Sequence, residues 1–350
     1  MQRKKDGIDI PLSKNVQSKF SSNYLEYVKL IHNALPEINF EDINLSTIFL
    51  NHKFGSPIII DSMTGGTPEA SKINSRLGKI AEKYDLGMGL GSQRAGLKSQ
   101  SLAETYSIAR KNAPSAFLIA NIGGAQLSEG LNLNLILNII SMIEANALVI
   151  HLNPLQELVQ PEGEPKYKGV YNKIVELKEK IDVPIIVKEV GSGISREVAV
   201  ILEKAKIDSI NIAGSGGTSW AGVEGIRAGY LKNSVKEHLG ELFWDWGIPT
   251  AQSLIEVQSS VNIPVIASGG IRNGLEIAKC LVLGASMCAL AYPFLKAASD
   301  SEDSLVKFVD LLLTEIKSVM FLTGTSNISQ LPALRYILTG ELADRVNKNE

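Results

Sequence analysis

Ala147-Leu148-Val149-Ile150-His151-Leu152-Asn153-Pro154-Leu155-Gln156-Glu157 passes from an unbroken apolar run into a cluster of hydrogen-bonding side chains. Its first four residues predict a strand buried on both faces, as in parallel sheets covered by helices. Pro154 lacks a backbone donor, so the strand cannot continue through it. His151, Asn153, Gln156 and Glu157 therefore arrive at a strand end, where parallel α/β folds place their chemistry.

The same alternation recurs along the chain. Apolar runs at 57–61, 86–91, 116–121, 147–151, 184–188, 209–213, 264–268 and 286–291 read as strands. Amphipathic segments near 68–83, 101–112, 132–145, 171–181, 195–205, 250–260 and 274–283 read as intervening helices, with a last helix near 303–322. Eight such units is the count of a closed (β/α)8 TIM barrel, and 350 residues hold one with an N-terminal arm and helix and a C-terminal helical extension. An open doubly wound sheet is the competing architecture. Ser56-Pro57-Ile58-Ile59, Val183-Pro184-Ile185-Ile186 and Ile263-Pro264-Val265-Ile266 each place proline at a strand start, where its missing N–H is harmless.

The expected organisation is an arm over 1–55, a barrel over 56–325 and a tail over 326–350. The arm is expected to carry one helix at roughly 23–33 and a ribbon at 47–54, below the barrel. Residues 214–249 form the widest interval between strands, hold all three tryptophans and read as a long functional or interfacial loop.

With 45% hydrophobic and 21% charged residues the chain has ample material for a core. A net charge of −2 argues against nucleic acid or an anionic membrane as partner, Arg3-Lys4-Lys5 being the one concentrated basic run. The sequence has neither a span-length apolar stretch nor a signal-type N-terminus, so a cytoplasmic protein is expected. Cys280 and Cys288 show no CxxC spacing and read as reduced, structural thiols. His32, His52 and His238 have no evident partners and read as structural or exposed.

Collected strand ends suggest the chemistry. Gly214-Ser215-Gly216-Gly217-Thr218 and Gly269-Gly270-Ile271-Arg272 can turn backbone N–H groups onto a phosphate, although glycines in any one loop can equally serve a tight turn. Lys188 closes an apolar strand and needs an anionic partner: either a strand-end carboxylate such as Glu189, or the N1/C2 edge of a flavin. Arg94 with Arg3-Lys4 is a candidate site for a second phosphate group, and Glu157 is a hard oxygen donor suited to Mg²⁺.

SMTGG at 62–66, GSQR at 91–94, HLNPLQE at 151–157, KEVG at 188–191, GSGGTSW at 214–220 and the basic Arg3-Lys4 together resemble the type 2 isopentenyl-diphosphate isomerases, over residues 3 to about 295. The resemblance implies interconversion of isopentenyl and dimethylallyl diphosphate in isoprenoid biosynthesis by an FMN-dependent barrel. It also implies Mg²⁺, NAD(P)H as the reductant of FMN, and a homo-oligomer, tetramer or octamer. Carried over, it puts FMN on Met63, Thr64, Gly65, Ser92, Asn121, Lys188 and Thr218, and its phosphate on Gly270, Ile271, Arg272, Ala291 and Tyr292. Substrate would face Arg3, Lys4, Ser92, Gln93, Arg94, His151, Asn153 and Gln156, and metal would bind Glu157. Gln156, Lys188 and His151 would be the catalytic side chains. This sequence departs from the family at Gly7, where histidine is usual, and at Tyr292, where a smaller or basic residue is common. Rival readings are an FMN oxidoreductase of the hydroxy-acid oxidase or inosinate dehydrogenase kind, and a non-catalytic flavin- or phosphate-binding barrel.

Overall fold

The computed structural model describes residues 2–128 and 132–347. Parallel strands β1 (Ile58–Ile60), β2 (Gly87–Gly89), β3 (Leu118–Gly123), β4 (Ala147–His151), β5 (Ile185–Lys188), β6 (Ser209–Asn211), β7 (Val265–Ser268) and β8 (Met287–Leu290) form a ring. β8 pairs back onto β1, with Cys288 opposite Ile58, so the sheet is a closed barrel and not an open one. Helices follow the strands and cover the outside, as the apolar character of both strand faces requires. The helix Pro68–Tyr84 shows the local logic: Thr67 caps it by accepting from the Ala70 amide, Pro68 opens its first turn, and Ile73, Leu77 and Ile80 form its buried stripe.

The barrel interior is packed, not hollow. Ile59, Ile119, Val149, Ile186, Ile266 and Met287 fill its middle. Beneath them the hairpin Thr47–Phe49 and His52–Phe54 drives Phe49 and Phe54 into the bottom, where the Phe54 and Phe117 rings lie 5.3 Å apart. Polar side chains emerge at the other end. His151, Lys188 and Asn211 are in register on β4, β5 and β6 and so share one face at the C-terminal rim.

Two expectations about the remainder are corrected. Residues 23–33 do not form a helix: they hold a single 3-10 turn, Leu25–Tyr27, and a strand, Val28–Leu30, paired antiparallel with Tyr336–Leu338. Asn23 sets this geometry by accepting from the Leu25 amide and donating to the Gly270 carbonyl, so tertiary pairing overrides a helical pattern. The arm's helix is instead Gln2–Ser13. Nor are residues 214–249 a structureless loop, because they contain the helices Trp220–Tyr230 and Ser234–Leu242. Glycines conceal that helical pattern while allowing close packing, since a Cβ on Gly225 would meet the Gly240 Cα at 2.9 Å.

Candidate active site

A cavity of about 430 Å³ opens at the C-terminal rim. Its floor is electrostatic. Lys188 reaches from β5 across the barrel axis to Asp61, just past β1, with Nζ to Oδ2 at 3.3 Å and both side chains nearly buried. The carboxylate partner open to Lys188 in the sequence is thus Asp61 and not Glu189. Glu189 instead accepts the amide protons of Val190, Gly191 and Ser192 through Oε2, bracing the loop after β5. Burial nevertheless pushes its carboxyl up to about 7, against the pull of those amides and of Lys188.

His151 is neutral and its tautomer is fixed. Asn121 Nδ2 donates to the Leu90 carbonyl at 3.0 Å, so its Oδ1 is left as the acceptor facing His151 Nδ1 at 2.7 Å. Nδ1 therefore carries the ring proton, and Nε2 keeps its lone pair. Burial first, then the charges of Lys188, Lys4 and Arg3, push the imidazole down to about 3. The unfolded chain takes up this proton near the ordinary value of 6.5, well before the folded one. Stability from this residue therefore falls as pH drops from 6.5 towards 3, by at most about 1.4 kcal/mol per pH unit. Urea unfolding of wild type and His151→Gln is expected to show the wild-type advantage shrinking across that window; a pH-independent difference would contradict the neutral assignment.

Glu157 lies not on a loop but in the helix Pro154–Val159, and it is buried. Its Oε1 accepts from Asn153 Nδ2 at 3.3 Å and its Oε2 from the Glu164 amide at 3.0 Å. Asn153 Nδ2 also reaches Gln156 Oε1, and Gln156 Nε2 donates to Glu224 Oε1 at 3.0 Å. Tyr167 locks Asn153 from behind, donating to its Oδ1 and accepting from its amide. Glu224 continues to Arg227, whose guanidinium also holds Glu162 and Asp6.

The cavity has two separate cationic poles. At one, Arg3, Lys4 and Arg94 gather, and none of them joins an ion pair among the described residues. Burial, then the neighbouring Arg3 and Arg94, pushes the Lys4 ammonium down to about 7; its Nζ donates to the Ser92 carbonyl at 3.0 Å. At the other pole, Arg272 has no ion-pair partner among the described residues; its guanidinium donates to Gln17 Oε1 at 2.6 Å and stacks 5.4 Å from the Tyr292 ring. Gly270 beside it has φ 69°, and a Cβ there would meet the Gly216 carbonyl oxygen at 2.6 Å, so this turn requires glycine.

Most of the expected site residues line this cavity, including Met63, Thr64, Ser92, Asn121, His151, Asn153, Gln156, Glu157, Lys188, Thr218, Ile271, Ala291 and Tyr292. Two do not. Gln93 is fully buried and turned away, donating to the Ile139 carbonyl and accepting from the Asn121 amide. Gly65 lies behind the wall, where a Cβ would overlap the Tyr106 ring at 1.9 Å. Asp61, Gln17, Glu224 and Arg227 also belong to the site or brace it. Apart from the Glu224–Arg227 pair, one helical turn apart, their partners lie far off in sequence, so local spacing does not announce them as site residues. Asp61 alone had a signal, as the carboxylate that closes the first apolar run.

Residues 121–336 match the family described as FMN-dependent dehydrogenase. Isopentenyl-diphosphate delta-isomerase of Nostoc sp. (strain PCC 7120) is 47% identical, covering 94% of this chain and 93% of that protein. The enzyme of the same description from Methanosarcina mazei is 44% identical over 97% of this chain and 92% of its own. This chain belongs to the isopentenyl-diphosphate delta-isomerase family. Among solved structures, flavocytochrome b2 with pyruvate bound is similar at a TM-score of 0.68 and 18% identity, covering 97% of this chain and 84% of that one. A mandelate oxidase variant with a C4a-hydroxy-FMN adduct gives 0.67 and 15% identity over 95% of each chain. At those identities the likeness is one of fold.

The cavity walls of this delta-isomerase family member fit a flavin ring as well as its phosphate. Beyond Arg272, the hydroxyls of Ser62 and Thr64 are buried on the cavity wall without a hydrogen-bond partner among the described residues. Buried polar atoms of this kind are normally satisfied, by protein, water or ligand.

Proposed function

We propose that this chain interconverts isopentenyl and dimethylallyl diphosphate, adding a proton at one carbon and removing one from another without net redox change, as a cytosolic step of isoprenoid biosynthesis. The observation that carries this reading is the pair of cationic poles on one cavity, which suits two phosphorylated ligands held side by side. In this reading Arg272, the Gly270–Ile271 turn and the Ala291-Tyr292 backbone hold the phosphate of FMN. Met63, Thr64, Ser92, Asn121, Lys188 and Thr218 contact the rest of it.

Reduced FMN, when bound, supplies an acid–base group for an unactivated alkene, a task poorly matched to a carboxyl of pKa about 4. The protein's own residues bind and orient. Arg3, Lys4, Ser92 and Arg94 take the substrate diphosphate, and Glu157 holds the Mg²⁺ that neutralises it. Binding energy spent far from the alkene fixes where the alkene lies. His151 offers a neutral Nε2 and Asn153 and Gln156 offer amides, so the reacting carbons meet polar groups without a fixed charge. Lys188, neutralised in part by Asp61, biases the charge of the flavin ring. NAD(P)H as reductant and a homo-oligomeric state, tetramer or octamer, complete the reading. Exposed Phe20, Leu242 and Trp246 supply apolar surface that association would cover.

The test is anaerobic incubation with isopentenyl diphosphate, FMN, NADH and Mg²⁺ in deuterated water, each omitted in turn. Dimethylallyl diphosphate carrying solvent deuterium is expected in the complete mixture and in none of the omissions. Stoichiometric oxidation of substrate with reduction of flavin would transfer the protein to the oxidoreductase reading.

A further inference from the structure

The N-terminal helix Gln2–Ser13 is poor in its own right. Arg3, Lys4 and Lys5 sit in its first turn, where the helix dipole opposes positive charge. Gly7 adds backbone entropy to be lost, Pro11 lies inside, and at 12 residues an isolated helix is marginal in water. Its conformation therefore depends on docking. Ile8 and Ile10 are buried, Ile10 against Val16 and Val223.

The polar anchor is Asp6. Its Oδ1 accepts from Gln2 within the helix at 2.7 Å, and its Oδ2 accepts from Arg227 Nε at 3.1 Å. Arg227, on the helix Trp220–Tyr230, is 2% exposed, and its other donors go to Glu162 and Glu224. The guanidinium is thus held in place from the barrel side before it meets Asp6. Arg3 stands one helical turn from Asp6, on the same face.

We propose that Arg227, acting through Asp6, is the positioning residue that holds Arg3 and Lys4 over the cavity, so that affinity for the substrate diphosphate depends on an ion pair that touches no substrate atom. The proposal rests on the functional reading given above. It makes a prediction of opposite sign to plain electrostatics. Asp6 is an anion near an anion site, and deleting its charge would by field alone tighten diphosphate binding. If the ion pair docks the helix, deleting it lowers the fraction of molecules with Arg3 and Lys4 in place, and apparent affinity falls by that fraction.

The test uses the FMN- and Mg²⁺-loaded enzyme and inorganic diphosphate, titrated calorimetrically. Asp6→Asn is expected to raise the Kd for diphosphate about tenfold, with the kinetic loss falling on KM and with FMN affinity unchanged. Asp6→Glu is expected to restore much of the loss. Arg3→Ala is expected to weaken diphosphate binding by a similar factor in the wild-type and Asp6→Asn backgrounds, since it acts on the docked molecules and Asp6→Asn on their number. Gly7→Ala adds a Cβ that meets only Trp220 Cη2, at 4.0 Å, and is expected to recover part of the Asp6→Asn loss by favouring the helix. An Asp6→Asn enzyme whose diphosphate Kd is unchanged or lowered, beside a wild type that binds normally, overturns the proposal alone. A wild-type enzyme that does not bind diphosphate overturns the functional reading, and the proposal with it.

Discussion

Glu157→Gln is expected to lower kcat/KM for isopentenyl diphosphate by about 10³-fold, or about 4 kcal/mol of transition-state stabilisation, while FMN binds as in wild type. The substitution is nearly isosteric, so packing in the helix Pro154–Val159 survives. The hydrogen bonds do not. Both carboxylate oxygens accept, one from Asn153 Nδ2 and one from the Glu164 amide, and a glutamine NH2 must oppose one of those donors. The charge that would hold Mg²⁺ is lost as well, and the neighbouring Glu224 is committed to Arg227 and Gln156. Residual turnover is therefore expected to need far more magnesium. Wild-type rates across a magnesium titration of the variant would remove Glu157 from the metal role.

The residues that carry this prediction were legible in the sequence because they are local. A proline four residues beyond an apolar run, followed by an amide and a carboxylate, fixes a strand end and what it presents. The barrel strands were legible for the same reason, each being a short apolar run set off by glycine or proline. What was not legible depends on partners remote in the chain. Arg227 reads as an ordinary helical arginine between glycines, one turn from Glu224; only folding brings Asp6 and Glu162 to it. The helix Gln2–Ser13 was missed because Gly7 and Pro11 argue against it, and it forms through docking. Residues 23–33 failed in the reverse direction. Their apolar spacing suits a helix, but the main chain of Val28–Leu30 finds its hydrogen bonds on Tyr336–Leu338, more than three hundred residues away. Gln93 falls inside the GSQR motif that carries the resemblance, yet its side chain turns from the cavity to the Ile139 carbonyl and the Asn121 amide, which only the fold places beside it.

Lys188→Met separates a structural from a catalytic role at the cavity floor. Removing the lysine strands Asp61 as a nearly buried carboxylate, and loss of one partner of such a pair costs about 3 kcal/mol of stability. Activity is expected to fall to near background as well, but that alone is ambiguous, since a loosened floor would also misplace ligands. Asp61→Asn added to Lys188→Met removes the stranded charge, leaving two neutral side chains of similar volume facing each other. Stability by urea unfolding is then expected to return most of the way to wild type, because the cost lay in the uncompensated charge and not in the missing bond. Activity is expected to stay lost. A cation beside the flavin stabilises the reduced, anionic ring, so the midpoint potential of bound FMN should move negative in both variants and stay there in the double. If the double variant regains activity along with stability, Lys188 serves the barrel only, and the bias on the flavin must come from another group.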